Sequence, residues 1–333
     1  MNIINKKQLL AFCLVAVFAL HACKKGGVAP VDNQAGDVFM VGYSTASNGT
    51  SVATYWKNGV ATRLADSSSS SQANAVVANG KDIYIAGIIN NMYGLSTAVY
   101  WKNGVKVDLP TSSDYSYAWG ITVSGKDVYV AGTTTLNGNN VATYWKNGVQ
   151  TTLTDGQLPS SANGIAISNN DVYVCGNNNG NAVYWKNGVS TQLSGIQAYS
   201  IASGGNDVYI VGTSGLLGYP TYWKNGTTAN LDTSNPGSVY ALSVIGNDVY
   251  MAGSTSYPVA GFNISETCYW KNGAITKLQS PGVGDANAIA VYGNDVYVAG
   301  DMGVNSYAVY WKNGVFTALD KTNSAAFGVA IVQ

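Results

Sequence analysis

The chain has 333 residues, of which 46% are hydrophobic and only 10% are charged, and its formal net charge is zero. A chain of this composition can bury a large core, and its charge balance excludes the basic face that nucleic-acid binding requires. It contains 39 Gly and 23 Tyr, a composition that suits short strands and tight turns better than helices.

The N-terminal residues 1–22 have a basic start and an apolar run from Leu9 to Leu20. Because this run is shorter than the roughly 20 residues that span a bilayer, it is typical of a signal peptide. It ends in Leu-His-Ala-Cys, which resembles the lipobox of bacterial lipoproteins. The resemblance implies that Cys23 is lipidated and that Lys24 after it favours the outer membrane. A plain secretory signal is the alternative, and residues 23–36 are predicted to be the lipidated Cys and a flexible tether.

The rest of the chain is a repeat. The motif Tyr-Trp-Lys-Asn-Gly occurs seven times, 38 to 47 positions apart, with its tryptophans at Trp56, Trp101, Trp145, Trp185, Trp223, Trp270 and Trp311. A second motif, Asp-Val-Tyr-Val-Ala-Gly or a close variant of it, precedes each copy and begins at Asp37, Asp82, Asp127, Asp171, Asp207, Asp248 and Asp295. A period in the forties made of short strand-like runs indicates a β-propeller.

Each repeat is predicted to contain four strands. In the repeat 286–320, a first strand ends at Tyr292 and is followed by Gly293-Asn294, a turn that favours type II′ because Gly stands first. The Asp-Val-Tyr-Val-Ala-Gly strand comes next, and a loop of variable length leads to the Ala-Val-Tyr-Trp strand. Asn-Gly after the Trp is a strong hairpin signal that introduces the fourth strand. Four antiparallel strands per repeat predict one propeller blade.

The two ends of the repeat region predict how the ring closes. The first repeat begins at Asp37 with its second strand, and the tail 325–333 matches a first strand that nothing follows. The tail therefore completes the first blade and closes a ring of seven. We expect an all-β, seven-bladed propeller over 37–333. Its repeats resemble those of the secreted bacterial seven-bladed β-propeller families, whose roles are too diverse to fix a function.

One position of the first strand varies in chemical type, whereas its neighbours do not. It follows an Ala (Val239 in one repeat) and precedes a small residue, and it is occupied by Asn74, Trp119, Asn163, Tyr199, Tyr240, Asn287 and Phe327. Because small residues suit a crowded axis, we expect this position around the central opening. It should share a face with the variable loops, which range from about four residues at 177–180 to the segment 254–266.

The varied position supplies the candidate ligand-binding residues. We expect Tyr115 and Tyr117 to join Trp119, Tyr199 and Tyr240 in an aromatic cluster beside the three Asn amides. Aromatic faces and amides are what sugar rings or peptide backbones meet in a shallow site. Packing between blades at the rim is the alternative interpretation.

Residues that recur in every blade are interpreted as structural. Each Asp that opens a second strand should pair with the Lys of its own blade, as Asp37 with Lys57, in a surface ion pair worth ~0.2–1 kcal/mol. A charged ring that binds a partner is the alternative. The repeated Trp and Tyr side chains are expected to pack between blades. Cys175 and Cys268 are predicted to be buried thiols rather than a disulfide.

The sequence offers few groups for catalysis. The only His is His21, in the predicted signal peptide, which excludes His-based catalytic and zinc sites from the mature chain. Several Asp residues follow fourth strands or fall in predicted loops, where a lone Asp is usually a turn former, and no calcium motif occurs. They are Asp66, Asp114, Asp155, Asp232, Asp285, Asp301 and Asp320. We expect no cofactor and no metal.

Together these observations predict a lipid-anchored binding module of the cell envelope. It should be a monomer that meets the membrane through its anchor alone and presents its variable face to a glycan or an envelope protein. A carbohydrate-active hydrolase or lyase that uses Asp or Tyr on the same face is the alternative. A third possibility is an assembly subunit that docks through its edge loops.

Overall fold

The computed structural model describes residues 36–332 apart from 112, 114, 217, 230, 232–234, 260, 261, 304, 305 and 322, with the backbone alone at 258, 259, 262 and 263. The predicted signal peptide, Cys23 and the tether as far as residue 35 lie outside the described residues, as do Asp114 and Asp232. The described residues form seven four-stranded antiparallel sheets. Within them, no helix is long and apolar enough to cross a membrane.

Each sheet is one blade, and its four strands run in order from the channel outwards. The first strands are β4 (Ser71–Asn79), β8 (Ser116–Ser124), β12 (Ser160–Ser168), β16 (Gln197–Gly204), β20 (Gly237–Ile245), β24 (Gly284–Tyr292) and β28 (Ser324–Val332). The second are β1 (Asp37–Thr45), β5 (Asp82–Asn90), β9 (Asp127–Leu136), β13 (Asp171–Asn178), β17 (Asp207–Ser214), β21 (Asp248–Val259) and β25 (Asp295–Met302). The third are β2 (Ser51–Lys57), β6 (Ser96–Lys102), β10 (Asn139–Lys146), β14 (Asn181–Lys186), β18 (Tyr219–Lys224), β22 (Phe262–Lys271) and β26 (Tyr307–Lys312). The fourth are β3 (Val60–Arg63), β7 (Val105–Asp108), β11 (Val149–Thr152), β15 (Val189–Gln192), β19 (Thr227–Ala229), β23 (Ala274–Lys277) and β27 (Val315–Ala318).

The closure predicted from the chain ends is confirmed. The C-terminal strand β28 pairs antiparallel with β1, from Asp37 opposite Val332 to Ser44 opposite Ser324. The first blade is thus built from both ends of the repeat region, in the order β28-β1-β2-β3. This pairing joins the ring through main-chain hydrogen bonds, so an unpaired strand edge is avoided at the junction.

The turn residues account for the regular hairpins. In the turn after the first strand, Gly293 has φ +57° and Asn294 has no positive φ, as type II′ requires. The turn after the third strand has positive φ at both residues, such as Asn313 at +52° and Gly314 at +80°, as in type I′. Both turn types suit the twist of a two-residue hairpin. All these turns lie on one face of the ring, which we call the turn face.

The opposite face carries the loops between second and third strands and those that lead to the next blade; we call it the mouth face. The sixth blade differs from the sequence prediction there, because 254–266 is largely strand rather than loop. Strands β21 and β22 extend as a hairpin, with Thr255 opposite Glu266 and Tyr257 opposite Ile264. A bridge from Lys277 to Glu266, 2.7 Å long, supports this extension from the neighbouring strand. The alternating β-formers in this segment favour the longer strands.

The core lies between blades. The seven Trp side chains of the repeat are 0–1% exposed, and each packs against the preceding blade. Trp145, for example, shares a cluster with Tyr84 and Ala86 of the blade before it. A buried Trp removes ~150–250 Å² from water, which corresponds to about 4–6 kcal/mol as an upper estimate. Packing between blades is therefore the main role of this repeated residue.

Candidate ligand-binding site

The seven varied positions are the extra residues of seven β-bulges. In each blade the pairing of the first strand with the second skips one residue, as where Gly132 pairs with Ala118 and Ala131 with Gly120, which leaves Trp119 without an opposite partner. The skipped residues in the seven blades are Phe327, Asn74, Trp119, Asn163, Tyr199, Tyr240 and Asn287. A bulge redirects the side chain of the extra residue, and in this ring it points the seven of them at one opening.

The Gly of the second-strand motif makes room for the bulge. A Cβ placed on Gly132 would lie 1.9 Å from the carbonyl oxygen of Tyr117 and 2.8 Å from Cζ3 of Trp145. The equivalent position in every other blade is also Gly, with a carbonyl oxygen of the bulged strand within 1.8–2.1 Å of the missing Cβ. The bulged strand can follow this path only because Gly has no side chain.

The bulged residues line a central cavity of about 420 Å³ that is walled by all seven first strands. At its entrance on the mouth face, a space of about 420 Å³ is lined by Gln72, Asn74, Trp119, Asn163, Gln197, Tyr199, Tyr240 and Phe327. We call this entrance the mouth. Among the described residues, none that line the mouth or the cavity is charged.

The three Asn bulge residues also hold neighbouring blades together. Asn74 Nδ2 donates to the carbonyl oxygen of Ala118 at 2.8 Å, and Asn163 Nδ2 donates to that of Ala198 at 2.7 Å. Asn287 Nδ2 donates to the carbonyl oxygen of Ala326 at 3.1 Å. Each accepting residue stands directly before the aromatic bulge residue of the next blade. The amides therefore fix the positions of the aromatic side chains.

The aromatic residues form pairs rather than the single cluster that the sequence predicts. Tyr117 and Trp119 stack with an interplanar angle of 2° and ring centroids 5.6 Å apart. Tyr199 and Tyr240 lie 5.5 Å apart in a tilted pair, and Asn163 of the intervening blade stands between the two pairs. The reason is that the bulge residues follow the ring in blade order, which separates Trp119 from Tyr199.

Two aromatic residues differ from the sequence prediction. Tyr115 lies before β8, is 38% exposed and does not line the mouth. Conversely, Tyr43 on β1 pairs with Phe327 at 6.0 Å between ring centroids, a contact that only ring closure creates. The repeat pattern contains no signal for Tyr43, because it depends on β28 lying beside β1.

A pair of carboxyl groups borders the mouth at the seventh blade. Asp285 and Asp301 lie opposite each other on β24 and β25, not in loops as the sequence predicts. Asp301 accepts hydrogen bonds from Asn287 Nδ2 at 2.9 Å and from Ser306 Oγ at 3.2 Å. Burial, and secondly the charge of Asp285, raise the pKa of Asp301. In the described part of the chain, neither carboxylate forms an ion pair.

The two carboxyl groups also raise the pKa values of two nearby tyrosines. Burial, and secondly the carboxylate of Asp285, raise the pKa of Tyr240. Burial and the carboxylate of Asp301 raise the pKa of Tyr43 in the same way. The carboxyl pair therefore lies at the side of the mouth formed by the sixth, seventh and first blades. We call it the acidic corner.

The turn face carries the predicted ion pairs in all seven blades, with Lys Nζ 2.6–2.9 Å from the Asp carboxylate. In the third blade, Lys146 also lies over the ring of Tyr129, 5.2 Å from its centroid. Asn147 donates to Asp127 at 2.7 Å and accepts from the Val128 backbone at 2.9 Å. Each of these Asp and Lys side chains thus pairs within its own blade, which supports their interpretation as structural surface ion pairs.

A loop Asp and the two described cysteines also have structural roles. Asp155 accepts a hydrogen bond from the Gln157 backbone at 3.0 Å, the turn-forming role expected of a loop Asp. Cys175 and Cys268 are buried and free, as predicted. Burial raises the pKa of the Cys268 thiol to about 12. Among the described residues, no three His, Cys, Asp or Glu side chains are grouped as a metal site requires.

No protein-family model matches the chain, and no curated protein matches it. Solved structures do match it. TolB from Acinetobacter baumannii superposes with a TM-score of 0.51 and 11% identity, covering 88% of this chain and 66% of that one. A prolyl endopeptidase superposes with a TM-score of 0.48 and 14% identity, covering 90% of this chain and 50% of that one. The acylaminoacyl peptidase of Pyrococcus horikoshii superposes with a TM-score of 0.44 and 10% identity, covering 75% of this chain and 46% of that one.

This chain therefore spans less than two thirds of the length of those three proteins. At 11% identity, the match to TolB shows a likeness of fold and nothing finer. The chain is a seven-bladed β-propeller, and its fold is similar to that of TolB.

Proposed function

We propose that this protein is a non-enzymatic binding module whose ligand, a glycan or a protein, enters the mouth. One observation carries the proposal: the bulge residue varies in chemical type from blade to blade, whereas the residues directly before and after it do not. All seven bulge residues line one cavity. A position that served only the packing of blades would be filled alike in each, as the seven buried Trp positions are.

The chemistry of the mouth supports binding. It combines aromatic faces with amide donors and acceptors, the combination expected where a few polar groups orient a ligand on an apolar surface. The hydrogen bonds from the Asn side chains and the stacking of Tyr117 on Trp119 hold these groups in place before any ligand arrives. A preorganised site loses less conformational entropy on binding.

Retention on polysaccharides, together with capture of envelope proteins, tests this proposal. The purified protein is screened for both, and Trp119→Ala is compared with Lys102→Ala on the turn face. We expect retention or capture that Trp119→Ala weakens about tenfold or more, since a stacked ring contributes roughly 1–3 kcal/mol. The proposal is wrong if the two variants lose binding equally.

A second candidate function is a carbohydrate-active hydrolase, and the acidic corner favours it. Side chains directly opposite across a ladder have Cβ atoms ~4.5–5.5 Å apart, and retaining glycosidases hold two carboxyls ~5–5.5 Å apart. Asp301, with its raised pKa, is the group suited to act as the acid. Product release in the polysaccharide screen that Asp301→Asn abolishes would establish this function in place of binding alone.

We further propose that the chain is an outer-membrane lipoprotein anchored through Cys23. The supporting observations are Lys6 and Lys7, the apolar run and Leu-His-Ala-Cys at Cys23. A lipidated protein should enter the detergent phase of Triton X-114, and the Cys23→Ser variant should stay in the aqueous phase. Aqueous partitioning of both proteins would refute the anchor.

A further inference from the structure

The mouth has room for only a narrow part of a ligand. Its volume of about 420 Å³ lies towards the lower end of the ~300–1,000 Å³ typical of small-ligand sites. A stable protein interface would instead cover about 800 Å² on each partner. The group that enters the mouth should therefore be narrow, such as the end of a polymer chain.

A peptide strand has no place to pair in the channel below the mouth. The first strands of neighbouring blades approach so closely that a Cβ on Gly120 would lie 2.8 Å from the carbonyl oxygen of Asn163. A peptide that adds to a sheet needs an open edge about one strand spacing wide, ~4.8 Å. The lining offers flat rings and amides in place of such an edge, and these suit a saccharide.

Trp119, which lines the mouth with Tyr117 stacked on it, provides a flat platform for a sugar ring. Tyr117 and Trp119 are parallel to within 2°, and both are half-buried. The indole nitrogen of Trp119 donates to Thr133 Oγ1 at 3.3 Å, which fixes the orientation of the ring. Gln72 donates to Asn74 at 2.7 Å, so the neighbouring amides form a fixed polar rim for hydroxyl groups.

The charges beside the mouth favour some saccharides over others. The described residues lining the mouth include no Lys or Arg. Asp301 accepts a hydrogen bond from Asn287 of the cavity wall, and Asp285 lies opposite Asp301. An anionic sugar would be repelled there, whereas an ammonium group would find two carboxylates that form no ion pair with any described residue. The aromatic rings of Tyr43 and Tyr240 beside the carboxylates also favour a cation.

We propose that the mouth takes the end of a saccharide chain that bears primary amino groups, with the amine at the acidic corner. This inference rests on the proposed binding function and names the ligand class of the same site. Trp119, supported by the stacked ring of Tyr117, forms the platform, and Asp285 and Asp301 determine the preference for amino sugars.

Three β-1,4-linked tetrasaccharides that differ at carbon 2 provide matched probes. Calorimetric titration of the purified protein compares oligomers of glucosamine, N-acetylglucosamine and glucose. We expect the glucosamine oligomer to bind about tenfold more tightly than the glucose oligomer, as one charge-assisted contact implies. Salt at about 0.5 M should reduce that preference without weakening the glucose oligomer, because screening affects only the charged contact.

The acidic corner is tested with the pair Asp285→Asn and Asp301→Asn, and Asp155→Asn is the matched control from a mouth-face turn. The double variant should bind the glucosamine and glucose oligomers within about twofold of each other, and the control should keep the tenfold preference. An unchanged urea midpoint verifies that the double variant is folded. If it is not folded, the salt dependence of the unaltered protein decides the question.

Equal binding of the three oligomers would overturn the amino-sugar inference and leave the proposed binding function intact. Binding of none would also overturn the inference. The proposed function would then stand only if an envelope protein is captured and Trp119→Ala abolishes the capture. A preference for glucosamine that persists in the folded double variant would refute the role given to the acidic corner.

Discussion

The substitution Gly132→Ala tests whether bulge and glycine form one structural unit. The new Cβ would lie 1.9 Å from the Tyr117 carbonyl oxygen, whereas ordinary contact begins at 3.4 Å, so β8 must retreat by 3.4 − 1.9 = 1.5 Å. Such a shift breaks about two ladder hydrogen bonds at ~1 kcal/mol each and adds ~1–3 kcal/mol of overpacking. We expect a loss of about 3–5 kcal/mol in the free energy of unfolding.

The control is Gly104→Ala in the turn of the second blade. Gly104 has φ +82°, and its missing Cβ has nothing within 4 Å, so the cost is conformational strain alone, roughly 1–2 kcal/mol. Urea unfolding followed by Trp fluorescence compares the midpoints of the two variants. Equal destabilisation would refute the reasoning, because it would mean that close approach at the bulge costs no more than the strain in an open turn.

Three further predictions concern the core, the turn face and the thiols. Trp145→Phe should cost about 1–2 kcal/mol more in unfolding free energy than Trp101→Phe. Trp145 Nε1 donates to the carbonyl oxygen of Pro110 at 2.9 Å, whereas Trp101 Nε1 is buried and has no partner among the described residues. Equal urea midpoints would contradict this prediction. Hydrogen bonding by Asn147 and Lys146 lowers the pKa of Asp127 below its usual 3.8. The stabilising contribution of this carboxylate is therefore present above pH 3.8 and is lost as the pH falls through the lowered pKa. The Asp127→Asn variant should lose less stability than the unaltered protein between neutral and acid pH, and an identical loss would contradict this prediction. Cys175 and Cys268 should resist a thiol reagent near pH 8 until urea unfolds the protein, because burial raises the pKa of both thiols; labelling of the native protein would show that they are accessible.

The blades can be predicted because their signals are local. Strand residues alternate, Gly-Asn and Asn-Gly set the turn types, and the repetition of both marks each boundary. The closure by 325–333 follows from the mismatch between the two chain ends. These features depend on a few adjacent residues, which a single sequence displays.

The bulges cannot be predicted because they arise from contacts between strands. The sequence shows that a varied residue follows Ala118 and that a Gly stands at 132, but only their pairing reveals the extra residue. The loop prediction for Asp285 and Asp301 is wrong for a related reason. Each lies next to the end of a repeated motif, and mutual pairing extends both strands by a residue or two beyond it.

The most direct measurement of the central claim compares Trp119→Ala with Tyr93→Ala in binding to an immobilised saccharide or captured partner. Tyr93 is an aromatic residue of the second blade that is 81% exposed and does not line the mouth. If the mouth is the binding site, Trp119→Ala weakens binding about tenfold or more and Tyr93→Ala changes it less than about twofold. The reverse order, or equal losses, would place recognition outside the mouth and contradict the account.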